Sequence, residues 1–446
     1  MKFKNINTVY ISIGALLLVS ILFSSCEKYV DIPKAPNQLL VTDAFKEDAT
    51  ATSAVLTLYG NDNTTNSLGY FSFCGGLEAD ELENANDNDL SMNEFQTTAL
   101  SIKNATVQNY LWSTPYAVIG AANVAIDGLN NSKTLTPSVK NQLLGESKFF
   151  RAFTYFYLVN YFGKVPLSLS GDANANAFLP RTSTDSVYAQ IVADLKDAQT
   201  LLPATYVGTM RARVNKYAAT ALLARVYLYM SDYTNAEIQA SNVIGATDIT
   251  YTMQDIDHAF LNTSNEVILQ IATTTAWSSL PILGTYYNSY QQYVLAPSFT
   301  FEAGDKRAAS WTDGNIITKY KMAGNEYNIT LRLAEQYLIR SEARAQLSKI
   351  SGAQADLDSV RIRAGLAKTS ASTKDDLLAA IASERKVELL GEFSHRWFDL
   401  KRTGKADQVI GALKPATWKS TAVLAPIPSD ERFKNPSLTQ NDGYPN

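Results

Sequence analysis

The sequence predicts a mostly α-helical fold: a scaffold of paired helices carrying long, loop-rich insertions and a few short strands. Three observations carry this reading. Apolar residues recur at three- and four-residue spacing over long stretches, the period of a helix with a buried face. Small residues repeat along some of those stretches, leaving room for a second helix to approach. Between them lie segments without helical period that are longer than ordinary connectors. A chain of 446 residues is long enough to bury a large core.

The N-terminus has a different logic. Lys2 and Lys4 precede an uncharged apolar run from Val9 to Phe23, and Ser24, Ser25 and Cys26 follow. Basic, apolar, small is the order of a secretory signal peptide. The run is shorter than the roughly 20 residues a bilayer span needs. Its end on cysteine looks like a bacterial lipoprotein signal, so residues 1–25 are expected to be removed and Cys26 lipidated. The mature domain, 26–446, is then held to a membrane by a lipid. Cys74 is the only other cysteine, so stability must come from burial and not from a disulfide.

The helices follow in order. "KNQLLGESKFFRAFTYFYLVNYF" (Lys140 to Phe162) carries aromatics on more than one face and predicts a helix buried on several sides, stopped by Gly163 and Pro166. Ser183 or Thr184 can cap the next helix, whose stripe is Ile191, Leu195 and Ala198, with Pro203 past its end. From Tyr217 a helical hairpin is expected: Ala218, Ala221 and Ala224 on the outgoing helix, a turn at Ser231 and Asp232, Ala236 and Ala240 on the return. Small residues at these offsets resemble a tetratricopeptide unit. A second hairpin starts at Leu333, a third pair lies around Leu143 and Val187, and a fourth starts at Asp375. No Pro-rich or Gly/Ser-rich linker divides the chain, which predicts one domain.

Two insertions interrupt this scaffold, near 60–98 and 246–326. The first is rich in Asn, Asp and Gly. The second holds two strand-like runs, "EVILQIA" from Glu266 and "IITKYK" from Ile316. Their aromatic content argues against disorder.

Composition excludes several functions. Net charge is −4, with 39 basic and 43 acidic residues spread along the chain and no basic block for nucleic acid. Only His258 and His395 are present. No HExxH, Cys/His cluster, Gly-x-Ser-x-Gly or phosphate-cradling loop occurs, so metal-dependent and triad hydrolysis are not expected, and neither is a cofactor. The stretch "LEADELENANDNDL" gathers Glu78, Asp80, Glu81, Glu83, Asp87 and Asp89, but it matches no Ca²⁺ loop and reads as a solvated polar segment.

Four segments align with one family. "YVDIPKAPNQLLVTDAF" follows Cys26; "RAFTYFYLVNYFGKVPL" begins at Arg151, "ERKVELLGEFSHRWFDLKRTG" at Glu384 and "LAPIPSDERFKNPSLTQNDGY" at Leu424. They resemble, in order, the motifs of SusD/RagB-like outer-membrane lipoproteins. That resemblance implies a tetratricopeptide-like helical body with a loop-rich binding region. It implies a non-catalytic surface protein that captures glycans, beside a SusC-like TonB-dependent transporter as partner. The RagB branch implies a peptide ligand as the alternative. Glu384, Arg385, Glu388, His395, Arg396, Trp397 and Asp399 in the motif read as a packed, ion-paired helix end and not as a catalytic pair of His395 with Asp399.

A sugar ring offers an apolar face and a polar rim, so aromatic platforms beside amides suit it. Trp277, Tyr286, Tyr287, Tyr290 and Tyr293 alternate with Asn288, Gln291 and Gln292, and Trp311 and Tyr320 follow. Tyr70, Phe71 and Phe73 stand in the first insertion. The candidate ligand-binding set is Trp277, Tyr286, Tyr287, Tyr290, Trp311, Tyr70, Phe71 and Asn288, with about half of these rings expected to serve as core. No catalytic or metal-ligating residue is expected.

Overall fold

The structure, a computed structural model, describes residues 41–60, 62–272 and 280–445. Contacts divide the chain into Met1–Asp43 and Ala44–Asn446. Of the first unit only 41–43 are described, where the helical turn Val41–Ala44 begins. The signal segment and Cys26 lie outside the described residues. The second unit holds one extended apolar core and a smaller satellite core.

The scaffold is helical, as the periodicity requires. Helices α1 (Asp48–Gly60), α2 (Asp62–Glu78), α3 (Leu90–Gln96) and α4 (Thr114–Asn131) lead to α5 (Pro137–Phe162). The last is buried almost all round from Gln142 to Val159. Pro137 opens it, where a missing N–H costs nothing, and Gly163 closes it at φ +68°. Helix α6 (Thr184–Leu201) packs along α5 and starts on Ser183, whose hydroxyl accepts from the Ser186 amide.

The hairpin α7 (Lys216–Tyr229) and α8 (Tyr233–Ile244) turns at Ser231, φ +59°, and Asp232 caps the return by accepting from the Asn235 amide. Ala218, Ala221, Ala224, Ala236 and Ala240 are all buried, which lets the paired helices close up. A second hairpin follows, α9 (Leu333–Gln346) and α10 (Ile350–Arg363). Helices α11 (Lys374–Glu388), α12 (His395–Arg402) and α13 (Ala406–Leu413) follow, and shorter helical turns such as Lys306–Ser310 and Ser429–Lys434 lie in the connections. The satellite core lies among α9, α10 and α11, around Leu338, Leu357 and Leu377.

Strands are few, short and antiparallel. Among the described residues they form four two-stranded ribbons: β1 (Leu82–Asn84) with β5 (Tyr293–Leu295), β2 (Val165–Pro166) with β3 (Arg181–Thr182), β4 (Val267–Ile271) with β8 (Asn328–Arg332), and β6 (Thr312–Asp313) with β7 (Ile316–Ile317). Both strand-like runs of the second insertion are therefore paired.

One expectation changes. The first insertion is not mainly loop, because α2 runs through it. Phe71, Phe73, Cys74 and Leu77 are buried, and their packing outweighs the roughly 1 kcal/mol that each helical glycine costs. Its glycines have a use. A Cβ on Gly69 would stand 2.7 Å from Ile282 Cδ1, and one on Gly75 would collide with Ser394. Bare backbone is what lets the second insertion and the start of α12 press against α2.

A buried ionic network ties the second insertion to the scaffold. Arg332 at the end of β8 bonds Glu392 (Nε to Oε2, 2.9 Å), Glu266 (Nη1 to Oε1, 3.1 Å) and Glu388. Lys319 reaches Glu392 Oε1 at 2.7 Å, and Arg307 Nη1 reaches Glu384 and Glu388 at 2.6 and 2.8 Å. Most of the motif from Glu384 to Asp399 thus carries the fold as paired charges, with Trp397 filling core.

Candidate functional site

The two insertions meet. In the β1–β5 ribbon Leu82 faces Leu295 and Asn84 faces Tyr293. Two backbone bonds extend it: Ala85 N donates to Gln292 O and Ala296 N to Glu81 O, both at 2.9 Å. Residues distant in sequence are thereby brought to one face.

Four tyrosines line that face. Tyr70 of α2 stacks on Tyr110, with ring centroids 3.8 Å apart and planes 3° from parallel. Tyr286 meets Tyr290 edge-on at 5.6 Å. Phe73 joins the pairs from below, 6.0 Å from Tyr70 and 5.0 Å from Tyr286, and itself stacks on Tyr293 at 4.4 Å. Phe73 and Tyr293 are buried, Tyr70, Tyr110 and Tyr286 are half-buried, and Tyr290 is 59% exposed.

Two of the four tyrosines come from π-helical segments, Tyr110 from Val107–Ser113 and Tyr286 from Thr285–Ser289. A π-helical turn adds a residue and so shifts which side chains face outward; such turns recur at functional sites.

Amides and a carboxylate stand beside the rings. Gln292 Nε2 donates to Asp89 Oδ2 at 3.2 Å and to Tyr293 Oη at 3.2 Å. Asp89 caps α3 through the Met92 amide. Asn84 Nδ2 donates to Asn93 Oδ1 at 2.7 Å, fixing the loop that carries Asn86, Asp87 and Asn88 at the surface. Asn288 is half-buried in the turn between Tyr287 and Tyr290. Burial, then the neighbouring Tyr286 and Tyr110 phenols, push the Tyr70 hydroxyl well above its usual range. Burial, then Tyr110 and Tyr290, raise Tyr286. Both phenols therefore stay protonated at neutral pH, and each can donate and accept a hydrogen bond. This face can stack flat apolar surfaces and bond neutral polar groups.

The structure sorts the sequence candidates. Tyr70, Tyr286, Tyr290 and Asn288 lie in the region of this face. Three others are core, and this corrects their assignment as platforms. Phe71 is 1% exposed and stacks on Tyr157 at 4.3 Å. Tyr287 is 2% exposed and donates to Gly391 O at 2.8 Å. Trp311 is 2% exposed, with Nε1 donating to Ile256 O at 3.0 Å. Trp277 lies outside the described residues. Tyr110 was missed; its only signal is that it stands one and two residues before the buried Leu111 and Trp112.

The acidic stretch also divides. Glu78, Asp80 and Glu81 are buried, not solvated. Asp80 accepts from Arg396 Nε and Nη2 at 2.7 and 3.1 Å and from Lys386 Nζ at 2.7 Å. The Arg396 and Lys386 contacts overcome the burial penalty and hold the Asp80 carboxyl down at about 2. Glu83 is half-buried, Asp87 exposed, and Asp89 half-buried. Among the described residues, no three His, Cys, Asp or Glu side chains converge on a metal position. His395 and Asp399 form no pair: Asp399 accepts from Arg385 and Arg402, and His395 Nδ1 is buried without a partner among the described residues.

Fold and face together define a helical scaffold that presents an aromatic-lined candidate binding surface. Two family models match the chain: "Starch-binding associating with outer membrane", of the SusD-like group, over residues 51–228, and "SusD family" over residues 308–444. The chain belongs to the SusD/RagB-like family. A SusD-like protein of Formosa agariphila is 28% identical over 75% of this chain and 80% of its own length, and a second from that organism is 24% identical over 99% and 100%. A SusD superfamily crystal structure from Bacteroides vulgatus has a TM-score of 0.75 at 18% identity, covering 90% of this chain and all of that one. The structure of a laminarin-binding SusD-like protein has a TM-score of 0.74 at 24% identity, with the same coverages. These two structures support the fold. The family is associated with the outer membrane. No helix among the described residues is long and apolar enough to cross a membrane.

Proposed function

We propose that this protein is a non-catalytic, surface-exposed lipoprotein, anchored through Cys26, that captures a neutral oligosaccharide or polysaccharide. It passes the glycan to a SusC-like TonB-dependent transporter. The observation that carries the reading is the row of Tyr70, Tyr110, Tyr286 and Tyr290 bordered by amides. Flat rings bury the apolar face of a sugar while amides and phenols bond its hydroxyls. Family membership supports it, as does the laminarin binding reported for one structural neighbour. Delivery follows from the chemistry of the job, since a tethered binding protein cannot move cargo across a membrane alone.

The test is retention on immobilised neutral polysaccharides, laminarin among them, with a peptide panel in parallel. Retention on a glycan with no released product over hours is expected. Peptide binding with no glycan retained would transfer the function to peptide capture, and steady release of shortened product would make the protein an enzyme.

A further inference from the structure

Asp89 brings a full charge to the candidate tyrosine face, and no cation is paired with it. Elsewhere the fold sets its buried acids against cations. Asp80 meets Arg396 and Lys386, Asp194 meets Arg151, and Asp399 meets Arg385 and Arg402. Asp89 departs from that pattern. Among the described residues its side chain accepts two hydrogen bonds, from the Met92 amide to Oδ1 and from Gln292 Nε2 to Oδ2, both at 3.2 Å. Both donors are neutral.

The charge is held close to the rings. Gln292 Nε2 also donates to Tyr293 Oη at 3.2 Å, so a single amide group separates the carboxylate from that phenol. Tyr293 lies nearly parallel to Tyr286, with planes 20° apart and centroids 5.8 Å apart. Burial is the first cause that raises the Tyr286 and Tyr293 hydroxyls; the Asp89 charge adds to it in both, and no Lys or Arg stands among the main influences. Asp89 is half-buried, and a charge beside apolar rings is screened less than one in open water. The capping of α3 does not call for this charge, because Asn caps a helix as well as Asp does.

We infer that Asp89 is a specificity-determining residue of the tyrosine face: its negative charge turns away glycans whose rings carry a carboxylate or sulfate, while neutral sugars of the same shape are accepted. The inference rests on the glycan reading of that face and names the group that sets its charge preference. Discrimination between two ligands comes from what opposes the wrong one as much as from what holds the right one. Like charges brought together away from water oppose binding through space, so exclusion needs no direct contact between Asp89 and the sugar.

Titration calorimetry on the full mature chain tests it with two probes of one backbone: a laminarin oligosaccharide, and the same oligosaccharide oxidised at its primary alcohols to the glucuronate form. The wild-type protein is expected to bind the neutral form at least about tenfold more tightly. Asp89→Asn keeps the shape and the cap and should shrink that ratio by about fivefold or more. A thermal melt checks that the variant is folded. A second measurement needs no variant: raising the salt from about 20 mM to about 500 mM should shrink the wild-type ratio severalfold, because salt screens charge and leaves stacking in place. Wild-type affinity for the glucuronate form equal to or above that for the neutral form, a ratio unchanged in folded Asp89→Asn, or a ratio indifferent to salt would each overturn the inference and leave glycan capture standing. Absence of binding by both forms would overturn the glycan reading itself, and the inference with it.

Discussion

Tyr290 and Trp311 are both large aromatics of one insertion, and they answer to different physics. Tyr290 is exposed and touches Tyr286 by an edge. Tyr290→Ala should leave stability within about 0.5 kcal/mol of wild type and weaken glycan binding by about 1–3 kcal/mol, the scale of burying one aromatic side chain. Trp311→Ala should do the reverse. It empties a core site and removes the Ile256 hydrogen bond, costing about 3–5 kcal/mol of stability. Chemical denaturation and calorimetry on the two variants separate the roles. Glu81 gives a pH signature. Burial, then the Asp80 charge, raises its carboxyl to about 8 from an ordinary value of 4.5. The folded state therefore keeps a proton that the unfolded state releases first. Stability from this group is full below about 4.5 and declines as pH rises towards 8. Glu81 Oε1 also has no partner among the described residues. Glu81→Gln should flatten that decline, making the variant relatively more stable at pH 8 than at pH 5; a parallel pH–stability profile for the two proteins would contradict this.

At the scale of elements, legibility followed signal length. Helix α5 was readable because its periodic aromatics run for many turns, and the α7–α8 hairpin because alanines at fixed offsets admit a partner. Helix α2 was hidden because Asn61 to Asn66 and Gly69, Gly75 and Gly76 read as loop, and only tertiary packing outweighs that propensity. Its glycines are close-approach positions, and Gly75→Ala should destabilise by about 1–3 kcal/mol through the forced shift of Ser394. A thermal melt unchanged from wild type would show that the contact relaxes freely. The candidate face was half legible. The sequence marks both insertions as aromatic and amide-rich, but in irregular segments no period says which ring points inward. That is why Phe71, Tyr287 and Trp311 stood beside Tyr70, Tyr286 and Tyr290 as equals. Tyr110 lies in a π-helical segment whose extra residue breaks the helical phase, so periodicity could not place it.

At the scale of the whole molecule, the fold divides its labour. Paired charges such as Arg332 with Glu266, Glu388 and Glu392 anchor the second insertion to the helices, and the β1–β5 ribbon clasps it to the first. The candidate tyrosine face is thus mounted on elements tied together at both insertions, an arrangement that would favour a flat ligand by pre-organising its rings. The anchor is tested by fractionation: Cys26→Ala should release the protein from the membrane fraction, and retention there would contradict lipid tethering. The central claim is capture of a neutral glycan on the tyrosine row. Its most direct measurement is calorimetric titration of a laminarin oligosaccharide into wild-type protein and into a folded Tyr70→Ala/Tyr290→Ala double variant. The account predicts saturable binding to the first and at least about tenfold weaker binding to the second. Equal affinity for the two proteins would contradict it.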